Sequence, residues 1–160
     1  MQDDSTDQAI KIGKLSRLSG LSERTLRYYE ELGIITPIRS DGGTRLYHAS
    51  DVEIAALAQR MRQLDIKVET IRAIATKRRD FTSGDQSSSA MIDLLEELVD
   101  TLGQRISRTL SLQEEAIKTL RLVRQCRGCK NPPSPKGCPD CPMEVSPDRT
   151  ALARMIWQAD

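Results

Sequence analysis

Four cysteines near the end of the chain are the residues whose spacing most clearly suggests chemistry. Two Cys-x2-Cys pairs, separated by eight residues, are formed by Cys126, Cys129, Cys138 and Cys141. Four thiolates in this arrangement can surround one tetrahedral Zn²⁺ or another soft metal ion, or can hold an iron–sulfur cluster. The pattern favours a bound metal ion that the protein senses. An iron–sulfur or thiol redox switch and a purely structural Zn²⁺ are the alternatives.

Other classes of protein could also carry this cysteine pattern. A thiol–disulfide oxidoreductase would need a thioredoxin-like βαβ pattern, which does not precede Cys126. A coiled-coil adaptor held by zinc would leave the segment Leu26–Glu30, discussed below, without a purpose. The single histidine, His48, lies far from the cysteines in sequence and is expected to be a surface or wing residue. We therefore predict that the protein is not an enzyme.

The composition favours a mainly α-helical protein. Of the 160 residues, 38% are hydrophobic, 29% are charged and only 3% are aromatic. No stretch approaches the roughly 18 apolar residues of a membrane span, and the polar first eight residues lack a signal-peptide pattern. We expect a cytoplasmic protein without membrane association. The net charge is only +1, but residues 10–50 carry seven Lys and Arg against four acids.

The first part of the chain has the pattern of a winged helix-turn-helix. Apolar spacing predicts a helix from Ile12 to Leu18 that Gly20 ends, and Ser22 is placed to cap a second helix that Gly33 ends. A hairpin, or wing, is predicted over 34–47 around the turn residues 41–43.

Two more helices are expected to complete this domain. Ser50 and Glu53 have the spacing of a capping box that begins a third helix. Its predicted apolar face comprises Ile54, Leu57, Met61 and Leu64. A fourth helix is predicted from Val68 to about Arg79.

A long amphipathic stretch follows a Ser- and Gly-rich linker predicted at 82–90. From Met91 to Leu120 eight steps of an apolar stripe span 29 residues, a mean spacing of 3.6. The members of this stripe are Met91, Leu95, Leu98, Leu102, Ile106, Leu110, polar Gln113, Ile117 and Leu120. A domain of this size cannot bury so long a helix, so a second copy is the expected partner, giving a homodimer with a two-helix coiled coil.

These patterns divide the chain into five segments. We predict a disordered N-terminus (1–9), a winged helix-turn-helix DNA-binding domain (10–81), the linker (82–90), a dimerisation helix (91–125) and a cysteine-rich sensor segment (126–160). The last segment should contain a short helix from about Asp148 to Gln158, with Ser146 as its cap.

The run Leu26-Arg27-Tyr28-Tyr29-Glu30-x-x-Gly33 and the wing end Thr44-Arg45-Leu46-Tyr47 resemble the MerR family of bacterial transcription regulators. The resemblance covers residues 12 to about 80, and the long helix is similar to the dimer helix of that family. It implies a homodimeric regulator that binds an inverted repeat in double-stranded promoter DNA. Members distort that DNA on sensing their signal, so that bacterial RNA polymerase can use the promoter.

Basic, hydroxyl and aromatic side chains of this domain could contact the DNA. Three- and four-residue spacing brings Arg24, Arg27 and Tyr28 to one helix face, with Thr25 beside them. The complete predicted set is Lys14, Arg17, Arg24, Thr25, Arg27, Tyr28, Arg45 and Tyr47.

The cysteine segment resembles several branches of the family in part. Cys126-Arg127-Gly128-Cys129 is similar to the start of the iron–sulfur segment of the redox-sensing SoxR branch, without its further compact cysteines. Cys129-x8-Cys138-Pro139 is similar to the metal loop of the copper-sensing branch, but is one residue longer. Serines 87–89 occupy the region of the mercury-type cysteine, as in the monovalent-metal sensors. The resemblance leaves the identity of the metal or cluster open.

Overall fold

A computed structural model describes residues 9–40, 42–132, 146–147 and 149–157. It is mainly α-helical, as predicted, and divides into two compact units, Met1–Leu98 and Val99–Asp160. Among the described residues, no helix combines the length and the apolar character that crossing a membrane requires.

The predicted helix-turn-helix is confirmed. Helix α1 (Ile12–Ser19) ends at Gly20, which adopts the left-handed conformation with φ 71°. Helix α2 (Glu23–Glu31) begins at Ser22, whose Oγ accepts a hydrogen bond from the backbone N–H of Thr25 at 3.1 Å. Leu15 of α1 is fully buried in the core of this unit.

The wing is part of a three-stranded antiparallel sheet. Strands β2 (Ile38–Arg39) and β3 (Arg45–His48) form the predicted hairpin, although turn residue Asp41 lies outside the described residues. Strand β1 (Ala9–Ile10) pairs with the other edge of β3, with Ala9 opposite His48. The predicted disorder is therefore wrong at Ala9, because a strand partner distant in sequence leaves no local signal. Residues 1–8 of that prediction lie outside the described residues.

Helix α3 (Asp51–Gln63) differs from its prediction at its cap and its buried face. The Ser50 side chain makes no cap hydrogen bond within the described part of the chain, whereas Asp51 Oδ2 accepts from the His48 N–H at 2.9 Å. The helix packs on α1, and its buried apolar residues are Ala55 and Ala58. The predicted apolar face instead includes exposed residues, namely Ile54, Leu57 and Leu64. The buried face of α3 therefore carries small side chains, so hydrophobicity alone does not predict which face is buried.

The linker prediction is wrong over 84–90. After helix α4 (Val68–Thr76) and a 3₁₀ turn (Lys77–Asp80), helix α5 runs from Gly84 to Gln125, a length of 42 residues. Ser83 Oγ accepts the backbone N–H of Gln86 at 3.3 Å and caps the helix start. Ser83 therefore begins the helix, and the serines at 87, 88 and 89 lie within it rather than in a linker.

The second unit contains the end of α5 and a short terminal helix, α6 (Ala151–Ile156). Helix α6 is shorter than predicted, and its cap is Thr150 rather than Ser146, with Thr150 Oγ1 accepting from the Ala153 N–H at 3.0 Å. Gln158, the predicted end, lies outside the described residues. Leu122 and Ala153 form a small core between the two helices, with Trp157 packed against it.

Candidate nucleic-acid interface and cysteine site

Helix α2 separates its polar and apolar side chains onto two faces. Leu26 and Tyr29 are fully buried, whereas Arg24, Arg27 and Tyr28 are exposed. The Tyr29 hydroxyl donates a hydrogen bond to Gln59 Oε1 at 3.1 Å, and burial raises the pKa of Tyr29. The exposed face thus presents two guanidinium groups and a phenol, the residue types that contact DNA phosphates and bases.

Other residues of the predicted DNA-binding set differ in exposure. Lys14 and Arg17 are exposed on α1 and line a shallow surface cavity there. Thr25 is half-buried, and its hydroxyl lies 2.8 Å from Ser22 Oγ. The Thr25 hydroxyl therefore stabilises the helix start, in addition to any role at DNA.

Glu30 connects α2 to the wing strand β3. Its Oε1 accepts a hydrogen bond from Arg45 Nε at 3.0 Å, and its Oε2 accepts one from the Tyr47 hydroxyl at 2.7 Å. Burial, with help from the Glu30 carboxylate, raises the pKa of Tyr47 to about 12. Tyr47 is fully buried, so its predicted position at the DNA surface is corrected to a place in the core.

An open cavity of about 510 Å³ lies beside this cluster and is lined by Lys11, Arg27, Arg45 and two acidic residues, Glu30 and Glu31. Sequence reasoning missed Lys11 as a member of the basic surface. Its one signal in the sequence was its position next to the predicted first helix. Lys11 lies near the wing because the residues just before it, β1, pair with β3.

Two of the four cysteines lie at the C-terminal end of α5. The Cys129 N–H donates to the Cys126 carbonyl at 3.0 Å, in a turn where Gly128 has φ 83°. Cys126 packs partly buried against the core around Leu122, Cys129 is exposed, and no disulfide joins the two. Cys138 and Cys141 lie outside the described residues. Within the described residues, no group of three or more potential metal ligands occurs.

Comparison with known proteins decides the family. The family described as "MerR HTH family regulatory protein" matches residues 10–77. The transcriptional regulator HmrR of Rhizobium leguminosarum bv. viciae is 33% identical over 135 residues, which cover 84% of this chain and 94% of that protein. The chain belongs to the MerR family. Another relative, heavy metal-dependent transcription regulator 2 of Rhizobium meliloti, is 30% identical over 86% of this chain and 95% of its own length.

Solved structures share the MerR fold. A MerR family regulator from Listeria monocytogenes matches with a TM-score of 0.59 and 23% identity, over 76% of this chain and 87% of the other. HiNmlR, a MerR family regulator that lacks the sensor domain and is bound to promoter DNA, matches with a TM-score of 0.63 and 16% identity. The match covers 76% of this chain and 95% of HiNmlR. The relatives and the fold together identify this MerR-family chain as a DNA-binding transcriptional regulator.

The long helix of this MerR-family chain carries an exposed apolar stripe whose start differs from the prediction. Ile92 and Val99 are 53% and 67% exposed, whereas the predicted Met91 and Leu98 are half-buried. The steps from Ile92 to Leu95 and from Leu95 to Val99 are three and four residues, which is the spacing of a coiled coil. Its exposed apolar members are Ile92, Leu95, Val99, Ile106, Leu110, Ile117 and Leu120.

Proposed function

We propose that this MerR-family regulator is a homodimer that binds an inverted-repeat promoter site and changes transcription by distorting the DNA when its four cysteines bind a metal ion. The observation that carries the sensor part is the position of Cys126 and Cys129 at the C-terminal end of the 42-residue helix α5. The exposed stripe of that helix supports the dimer.

The DNA-binding part is supported by the basic face of α2 and by the wing. A homodimer presents two such faces, and two reading helices one DNA turn or a multiple apart match an inverted repeat. The protein would then act on a promoter through the shape of its DNA, and bacterial RNA polymerase would be the partner that uses the distorted promoter.

The electrostatics of the helix end favour a metal ion over an unpaired thiolate. The last carbonyl groups of a helix carry a partial negative charge. This charge stabilises a nearby cation and destabilises an unpaired thiolate. Cys126 and Cys129 are three residues apart on one turn, so both sulfurs can reach the same ion. Cys138 and Cys141 would complete a tetrahedral set for Zn²⁺ or another soft metal ion. The printed name of the Rhizobium meliloti relative, a heavy metal-dependent regulator, supports the same assignment.

A redox switch is the second candidate, and the exposure of Cys129 favours it. Protein purified without oxygen distinguishes the two through its absorption spectrum and metal content. A brown chromophore would indicate an iron–sulfur cluster, whereas a colourless protein with one equivalent of metal supports the metal site.

Substitution of the cysteines tests whether the site senses a signal. The double variant Cys129→Ser with Cys138→Ser should lose the metal and the transcriptional response while it still binds the operator, since a neutral hydroxyl replaces a thiolate poorly. Arg127→Ala, an exposed change between the first two cysteines, is the matched control and should keep the response. Reporter assays would use zinc, copper, cadmium, mercury and a redox-cycling oxidant. A parent protein that responds to none of them, yet melts at a lower temperature after chelation, would show a structural metal instead.

A further inference from the structure

Glu30 is the acidic residue that joins helix α2 to the wing strand β3. We propose that Glu30 is a positioning residue that orients Arg45 to bind a DNA phosphate. The inference rests on the proposed DNA-binding function and adds a residue to it. A carboxylate near a DNA surface would by itself repel phosphate, so its presence there needs a reason. The hydrogen bonds of Glu30 supply that reason.

The Glu30 carboxylate is held from two sides. Its Oε2 accepts a 2.7 Å hydrogen bond from the hydroxyl of Tyr47, whose side chain is fully buried in the core. Its Oε1 accepts a 3.0 Å hydrogen bond from Arg45 Nε, and the Glu30 side chain is only 17% exposed. The buried tyrosine therefore fixes the carboxylate, and the carboxylate fixes the base of the guanidinium group.

This arrangement leaves most of the Arg45 guanidinium group for another ligand. A guanidinium has five N–H donors, and the bond to Glu30 occupies the one on Nε. The Arg45 side chain is 57% exposed and lines the open cavity that Lys11 and Arg27 also line, so its outer nitrogens are accessible to a ligand there. Two parallel N–H groups held in place match the oxygens of a phosphate, at a smaller loss of side-chain freedom than a mobile arginine would suffer.

Glu31 provides a matched control on the same helix. It is exposed and lines the same cavity, and its side chain has no hydrogen bond or ion pair among the described residues. Replacing either glutamate with alanine removes one negative charge beside the proposed phosphate site. Electrostatics alone predicts that both changes tighten DNA binding. Positioning predicts that only the Glu30 change weakens it.

The experiment measures binding of the full-length protein to two DNA duplexes across a salt series. One duplex is an inverted repeat selected from a random-sequence pool, and the other is a scrambled version of it. We expect Glu30→Ala to weaken binding about three- to tenfold on both duplexes, because a phosphate contact does not depend on sequence. The slope of log K against log salt should become shallower by about 0.9 per protomer, or about 1.8 for the homodimer, as it should for Arg45→Ala.

Two further comparisons separate positioning from a general loss of structure. In the Arg45→Ala background, Glu30→Ala should have little added effect on affinity or on the salt slope. Glu30→Gln keeps an acceptor for Arg45 Nε and should recover most of the lost affinity. If Glu30→Ala does not fold, Arg45→Lys serves instead, since it keeps the charge but lacks the Nε–H and the planar fork. That variant should lose most of what Arg45→Ala loses.

Several results would overturn the proposal. Tighter DNA binding by Glu30→Ala, as expected for Glu31→Ala, would overturn it. So would an unchanged salt slope in Glu30→Ala. DNA binding by Arg45→Lys that equals that of the parent would also overturn it. A parent that binds both duplexes equally would instead contradict the inverted-repeat part of the proposed function and leave this test intact. The two failures are therefore distinguishable.

Discussion

Polar contacts between described residues hold the terminal helix α6 to the long helix, and removal of one of them should release α6. Glu115 of α5 accepts a hydrogen bond at its Oε1 from the backbone N–H of Leu152 at 2.8 Å. The hydroxyls of Thr119 and Thr150 are 2.6 Å apart. A helix of six residues does not form in isolation, so α6 depends on these contacts and on the core around Leu122. We predict that Glu115→Ala undocks α6.

The size of the effect follows from the type of bond. A hydrogen bond from a backbone N–H to a carboxylate contributes about 1.5 to 3 kcal/mol. Thr150 still caps Ala153 in the variant, so one helix-end N–H loses its partner and the cap itself remains. Since each 1.4 kcal/mol is a factor of ten, the ratio of docked to undocked α6 should fall roughly ten- to hundredfold.

Trp157 reports this change directly, because it is the single tryptophan of the chain and packs against the α5–α6 core. The emission of Glu115→Ala should shift to longer wavelength, and acrylamide should quench it more strongly. Glu114→Ala is the matched control, because Glu114 is exposed and pairs with Lys118 at 2.9 Å on the solvent side of α5. Its tryptophan signal should equal that of the parent.

Parent-like emission and quenching in Glu115→Ala would refute the reasoning, because α6 would then be held by contacts other than the Glu115 bond. If the undocking does occur, metal binding offers a second measurement. The segment that carries Cys138 and Cys141 connects α5 to α6, so a released α6 should weaken metal binding by the proposed four-cysteine site. Glu114→Ala should leave that affinity unchanged.

Three further predictions concern the DNA-binding unit and the stripe. Glutamate at both Leu102 and Ile106 should place charge in the apolar stripe and give monomers by analytical ultracentrifugation; persistent dimers would contradict the coiled coil. Arg27→Ala should weaken operator binding by about 1 to 3 kcal/mol without a lower melting temperature, because its side chain is exposed; unchanged affinity would remove Arg27 from the interface. Burial raises the pKa of Tyr47 from 10.0 to about 12, so the folded protein keeps a proton that the unfolded chain loses. The contribution of Tyr47 to the free energy of unfolding is therefore complete below about pH 10. It should decline towards about pH 12, at up to about 1.4 kcal/mol per pH unit. Tyr47→Phe should lack this part of the decline, and identical pH profiles of the two proteins would contradict it.

Local sequence signals were sufficient to predict the helix-turn-helix and the presence of the long helix. Gly20 ends α1 through its backbone conformation, and Ser22 caps α2 through its side chain. Both effects involve only residues nearby in sequence, so the sequence is enough to predict them. The run from Leu26 to Glu30 resembles the MerR family by its sequence alone, and the comparisons confirm that family. The apolar repeat likewise predicted a long helix with an apolar stripe, although the exposed stripe begins at Ile92 and not at Met91.

Features that depend on contacts between distant segments were decided only by the tertiary structure. Ala55 and Ala58 are buried on α3, which packs with α1, α4 and β3, and hydrophobicity along one helix could not reveal which face those neighbours cover. Glu30 is an ordinary polar residue in sequence, yet it meets the side chains of Arg45 and Tyr47, 15 and 17 residues away. Periodicity and capping are properties of a segment by itself, whereas the choice of partner across the fold depends on shape and burial that exist only once the chain has folded.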